Sequence, residues 1–197
     1  MPDSILQRPK ARELYLQAAE QIIRSSGHAA VTVRRLSKLT GYTYPTLYHY
    51  FSDLDGLLCV VRDKMILDMA AELHEIGVER SQGINRLKNA LMIYTDYYLQ
   101  NPNVFRFFYF YSFGCVAAGP ESVDAQAGLA DLWQAAFADL IASGTVDPAD
   151  IPTLSRLLIY SIHGMISLCF SNNGQLKPEN LLNELDQLID YLVLCKH

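Results

Sequence analysis

The chain of 197 residues has little of what marks catalytic, metal-bound or secreted proteins. Its four cysteines, Cys59, Cys115, Cys169 and Cys195, form no CxxC pair, and no histidine stands at zinc-ligand spacing beside them. They read as four buried, reduced thiols of a cytoplasmic protein. Eleven glycines and eight prolines in a half-apolar chain exclude a disordered or collagen-like polymer. GxSxG, HExxH, Walker and GxGxxG motifs are all missing, and no credible strand pattern occurs. The opening MPDSILQRPK has no apolar signal-peptide core. The longest apolar stretch, Leu157 to Phe170, is broken by Ser161, His163, Gly164 and Ser167. It falls short of the ~20 residues a bilayer span needs and reads as a buried helix. No enzyme activity, cofactor, metal or membrane partner is expected.

Charge is scarce overall but unevenly placed. Residues 1–50 hold seven bases (Arg8, Lys10, Arg12, Arg24, Arg34, Arg35, Lys38) and three acids, a balance of +4. The remaining 147 residues carry nine bases and eighteen acids, a balance of −9. A basic head on an acidic body points to a polyanion that meets only the first quarter of the chain. Asp68, Glu72, Glu75 and Glu79 have the spacing of a solvated acidic helix face. Asp53-Leu54-Asp55-Gly56 resembles part of a calcium loop, but Phe51 stands where the first carboxylate belongs.

What is present is helical period. Leu14, Ala18 and Ile22 recur at i, i+4 and i+8 from about Pro9 until Gly27. Thr32 is placed to cap a second helix carrying Val33, Leu36 and Leu39 inward. Gly41 ends it, and Thr43 is placed to cap a third, to about Tyr50. Ser52 or Asp53 opens a fourth, to about Val78. Further segments are expected over Ser81–Gln100, Pro102–Phe113, Ser122–Ser143, Pro148–Ser171 and Pro178–Cys195. The fold class is therefore all-α with about nine helices.

Two short helices joined through Gly41 have the geometry of a helix-turn-helix. Ser37 is small where the pair would cross, and Leu47 faces their shared core. The third helix would then enter a major groove of double-stranded DNA with Thr43, Tyr44, Pro45, Thr46, Tyr48 and His49 exposed. Thr32, Arg34, Arg35 and Lys38 would lie beside the phosphates, and Arg8, Lys10 and Arg12 would form a basic arm.

The stretch TVRRLSKLTGYTYPTLYHYFSDLDGLL resembles the signature of the TetR family of bacterial transcriptional regulators. The matching positions are Thr32, Gly41, Thr46-Leu47-Tyr48, Tyr50-Phe51, Asp55 and Leu57-Leu58, within residues 9–60. Pro45 departs from the family's usual small residue, and Leu54 from a backbone-binding lysine. Because proline biases its predecessor toward extended backbone, the recognition helix is expected to start one residue late. The resemblance implies a DNA-binding head, residues 1–51, and a body, 52–197, that dimerises and binds a small effector.

The body's own residues point the same way. Leu181, Leu185, Leu188, Leu192 and Cys195 form a seam for helix packing, and Ser161, Gly164 and Ser167 permit close approach on the preceding helix. Either an internal core or a two-fold interface through the last two helices explains both stripes. The run VFRFFYFYSF is aromatic on all sides. Phe108 and Tyr111 from this run, with Tyr94, Tyr98, Trp133 and His163, are the candidate lining of an aromatic effector pocket. The expected function is a dimeric, effector-responsive regulator, a repressor of a palindromic operator. The alternative is a helical carrier with a degenerate head.

Overall fold

The computed structural model describes residues 4–77, 81–114, 133–171 and 176–194. Among them are nine helices and no strand, as the periodicity predicts. The helices are α1 (Ser4–Ser26), α2 (Val33–Thr40), α3 (Tyr44–Tyr50), α4 (Leu54–Gly77), α5 (Ile84–Gln100), α6 (Pro102–Phe110), α7 (described over 133–142), α8 (Ile151–Phe170) and α9 (Pro178–Leu194). They form two compact units. One comprises residues 1–68 and 103–126, the other 69–102 and 127–197, so α4 begins in the first and ends in the second.

The first unit is built around α1, whose Tyr15, Leu16, Ala19, Ile22 and Ile23 are buried along one broad stripe. Gly27, at φ +81, stops the helix while its N–H still bonds the Ile23 carbonyl at 2.9 Å. Thr32 caps α2 as expected, its Oγ1 accepting the Arg35 N–H at 3.2 Å. Leu36 from α2 and Leu47 from α3 are both fully buried and pack the pair against α1. Between them Gly41 takes the left-handed conformation (φ 74, ψ 2) and closes α2 through an N–H bond to Ser37. A Cβ at Gly41 would meet nothing within 4 Å, so backbone conformation rather than space demands glycine.

Differences from the sequence reading are local. Tyr44 is the first residue of α3 despite preceding Pro45, because a helix's first turn needs no N–H from proline. Thr43 occupies the N-cap position but bonds no helical N–H through its side chain. Its hydroxyl pairs with that of Thr46 at 3.2 Å instead. Asp53 is the working cap of α4, accepting the Gly56 N–H at 2.6 Å. Leu39 is 50% exposed rather than inward. Cys59 is disulfide-bonded, which corrects the expectation of four reduced thiols; sequence spacing carries no information on which cysteines approach in space. Cys169 is free and half-buried, and Cys115 and Cys195 lie outside the described residues.

In the second unit α5, α8 and α9 share a core. The inner stripe of α9 is Leu181, Leu185, Ile189 and Val193, while Leu188 and Leu192 of the expected seam are only half-buried. Lys88 on α5 clamps α9 through Asp186 (2.9 Å) and Asp190 (2.8 Å). Helix α8 buries Leu154, Leu158, Ile162 and Ile166 but leaves Leu157, Tyr160 and Leu168 exposed. It is less buried within the chain than its composition implied. By length and hydropathy alone Pro148–Phe170 is long enough to cross a membrane, and one such helix is weak evidence.

Gly41→Ala is expected to destabilise the protein by about 1–2 kcal/mol, the cost of a left-handed L-residue, with Gly41→Asn costing less. Urea unfolding of the three proteins measures it, and equal midpoints contradict the assignment of the turn.

Candidate nucleic-acid interface and effector cavity

Helix α3 is held at its N-terminus by a neighbour. The fully buried Tyr15 of α1 donates its hydroxyl to the Thr43 carbonyl at 3.1 Å. Burial pushes the Tyr15 hydroxyl above its ordinary pKa, so it remains a donor at neutral pH. The Tyr15 ring also meets Tyr42, centroids 6.2 Å apart. Sequence reasoning missed both tyrosines, because an apolar-period stripe does not distinguish a structural tyrosine from a leucine.

With Leu47 turned inward, the opposite face of α3 is open. Tyr44 and Tyr48 are 57% and 39% exposed, and their rings lie 4.6 Å apart. The pKa of Tyr48 is raised, first by its hydrogen bond with Tyr44. Thr43, Pro45 and His49 are also exposed, and Thr46 is half-buried. Arg34 and Lys38 project from α2 into solvent. Arg35 is half-buried and donates to Ser26 Oγ at 3.0 Å, and Thr32 is committed to its cap, so both have a structural task. In the arm, Lys10 is exposed and Arg12 lies over the Phe51 ring at 5.7 Å; the side chain of Arg8 lies outside the described residues. The result is an aromatic, hydroxyl-rich helix face on the same short module as two free-standing cations. That chemistry suits base edges and phosphates together.

The second unit brings four predicted residues into one cluster. Tyr94 Oη and His163 Nε2 are 2.9 Å apart. The Tyr94 ring lies edge-on to Tyr98 (5.0 Å) and to Trp133 (5.9 Å). Burial drives the His163 imidazole down to about 4, so the ring is neutral at physiological pH and acts as a hydrogen-bonding partner rather than a cation. Phe108 and Tyr111 belong to the first unit instead. Both pack on Phe107 at 5.9 Å, and Tyr111 donates its hydroxyl to Asp55 at the start of α4. Burial first, then the Asp55 carboxylate, raises Tyr111 to about 12.

A cavity of about 350 Å³ opens in the second unit beside this cluster's helix, α5. Leu73 of α4, Met92, Ile93 and Tyr97 of α5, and Leu182 of α9 form its apolar wall, and Glu72, Asp96, Gln100 and Asn101 its polar part. Only Glu72 was singled out in the sequence, as part of a solvated acidic face: the period of α5 draws attention to the aromatic Tyr94 and Tyr98, whereas the cavity uses the adjoining face. No group of His, Cys, Asp or Glu among the described residues is arranged to hold a metal ion.

Comparison with known proteins matches the first unit. Residues 16–59 fit the sequence profile of the bacterial regulatory proteins of the tetR family. No curated protein matches the chain. Among solved structures, the transcriptional regulator FadR of Bacillus subtilis, in complex with stearoyl-CoA, superposes with a TM-score of 0.69 at 14% identity. That match covers 94% of this chain and 99% of the regulator. A TetR family transcription regulator from Marinobacter aquaeolei VT8 gives 0.62 at 20% identity, covering 94% and 97%. A TetR transcriptional regulator from Rhodococcus sp. RHA1 gives 0.63 at 21%, also covering 94% and 97%. At these identities the likeness establishes the fold.

The depressed His163 pKa has a consequence for stability. Between about 4 and the unfolded value of 6.5 the unfolded chain binds the proton and the folded chain does not. Stability from this group is therefore fully present above pH 6.5, declines as pH falls through that window, and is gone below it. His163→Gln is expected to flatten the fall of melting temperature between pH 7 and pH 4.5; parallel curves for variant and wild type contradict it.

Proposed function

From a head that belongs to the tetR family of bacterial regulatory proteins, we propose that the chain is an effector-responsive DNA-binding transcription regulator, acting as a dimeric repressor in the cytoplasm. The observation that carries this reading is the open face of α3: Tyr44, Tyr48 and His49 stand exposed on a turn fixed by Gly41, with Arg34 and Lys38 exposed on α2. In this reading residues 1–51 are the head that enters the major groove. Tyr44, Tyr48 and His49 reach base edges, the Thr46 methyl suits a thymine methyl, and Arg34 and Lys38 neutralise phosphates. Residues 52–197 are the body that dimerises and takes the effector.

The exposed apolar groups of α8 and α9 support dimerisation. Tyr160 and Tyr191 are 68% and 65% exposed, and Leu157, Leu168 and Leu194 also face solvent. A Cβ at Gly164 would meet nothing within 4 Å, so this glycine serves no close contact among the described residues and leaves room for a partner helix. Pairing these faces about a two-fold axis buries them and sets two heads to read a palindrome. An aqueous two-fold interface fits α8 better than a bilayer, since its other face packs in a helical core and it carries Arg156.

Effector action follows from α4, which is separated from α3 by three residues and contributes Glu72 and Leu73 to the cavity. An occupant that prefers one placement of this helix shifts the heads away from operator spacing. Moving a population from 99:1 bound to 1:99 takes about 5.5 kcal/mol of differential affinity.

The test is a gel shift on genomic fragments with the Arg34→Ala/Tyr48→Ala protein. Retention is expected to vanish while size-exclusion chromatography still reports a dimer; unchanged retention overturns the reading. For the wild type, affinity is expected to fall steeply with salt, with a log–log slope of roughly −0.9 per neutralised phosphate. A carrier protein would show no retention at any salt. Tyr160→Glu should yield monomers with weakened operator affinity.

A further inference from the structure

We infer that the α4–α5–α9 cavity binds an amphipathic organic cation. This deepens the proposed regulator by naming the chemical class of its effector. A volume of about 350 Å³ falls in the size range of small-molecule sites, and Leu73, Met92, Ile93 and Leu182 give it an apolar wall. Its charges are all of one sign. Glu72 and Asp96 line it, and among the described residues no lysine, arginine or histidine does.

The donors are also accounted for. Gln100 Nε2 donates to Asp96 Oδ2 at 2.5 Å, and Asn101 Nδ2 donates to the Tyr97 carbonyl at 2.9 Å. The two side-chain amides are thus oriented by bonds inside the protein, whereas the Glu72 carboxylate makes no ion pair or hydrogen bond with any described residue. Three bases flanking the lining residues in sequence are engaged elsewhere: Lys64 with Glu20 and Asp68, Lys88 with Asp186 and Asp190, Arg86 with Asp139. The whole second unit holds twelve acids against six bases. A negative potential focused in a concave, partly apolar space attracts cations and repels anions.

An anionic ligand would meet two like charges here, with no cationic group among the described lining residues to offset them. A neutral apolar one would leave both carboxylates beside an unmatched tail. A cationic head on an apolar body satisfies both parts of the lining. A quaternary ammonium suits the site further, because it brings no N–H that must find an acceptor. The acyl-CoA held by the Bacillus subtilis structure is of opposite charge, so similarity of fold does not carry similarity of ligand.

The experiment is isothermal titration of the full-length protein with decyltrimethylammonium, decyl sulfate and decanol, each below its aggregation concentration. Decyltrimethylammonium is expected to bind, decanol weakly, and decyl sulfate not at all. Glu72→Gln and Asp96→Asn are each expected to weaken the cation about tenfold while leaving decanol unchanged. Leu182→Trp, which fills the cavity without altering charge, should remove both ligands. Decyl sulfate binding as tightly as the cation, or full cation affinity in the Glu72→Gln/Asp96→Asn protein, overturns the assignment. Retention of genomic fragments, measured on the same samples without ligand, separates the two claims. Its loss sinks the regulator and leaves the cation site standing, while its survival beside failed titrations does the reverse.

Discussion

A single buried hydroxyl fixes the head. Tyr15 reaches from α1 to the Thr43 carbonyl, the last peptide group before α3 begins. A seven-residue helix does not hold its own shape in water, because nucleation costs more than so few hydrogen bonds return. Helix α3 therefore exists by tertiary support: the Tyr15 bond at one end, Leu47 in the core at its centre, and the Phe51 N–H bonded to Leu47 at the other end. Gly41 supplies the one left-handed residue that lets α2 turn into it. Because these supports occupy the inward face, the aromatic residues of the outward face remain free for another molecule.

The second unit solves a different problem. Its core is made from one stripe of α8 and one of α9 packed with α5, yet both outer helices also expose large apolar side chains, Leu157, Tyr160 and Leu168 on α8 and Tyr191 and Leu194 on α9. Exposed Tyr160 and Tyr191 are costly on an isolated chain, and in the proposed dimer they become the interface. The Lys88 clamp on Asp186 and Asp190 fixes α9, which carries the cavity residue Leu182, against α5. Acidic residues around that space and basic residues on the head follow the division of charge along the chain.

Much of this was legible in the residues. Positive-φ turns need glycine, so Gly27 and Gly41 mark helix ends directly, and Thr32 and Asp53 mark starts by their capping oxygens. The TetR resemblance rested on Thr32, Gly41, Thr46-Leu47-Tyr48, Tyr50-Phe51, Asp55 and Leu57-Leu58, and residues 16–59 match the family profile. Less was legible where function depends on which face of a helix turns inward. Leu188 and Leu192 look like a seam, but Ile189 and Val193 are the residues buried. Tyr94, Tyr98, Trp133 and His163 do converge, whereas the cavity is lined by Met92, Ile93 and Asp96, whose types are unremarkable in a helix. Phe108 and Tyr111 sit in an aromatic run that the chain places with the first unit, a long-range choice that no local pattern encodes. The bond at Cys59 is a long-range choice of the same kind.

The most direct measurement of the central claim is a hydroxyl-radical footprint on a fragment selected from the source genome. The account predicts two protected patches on one side of the duplex, their centres about one helical turn apart and related by a sequence palindrome. A fragment that shows one patch, or no protection at protein concentrations that saturate a gel, would contradict it.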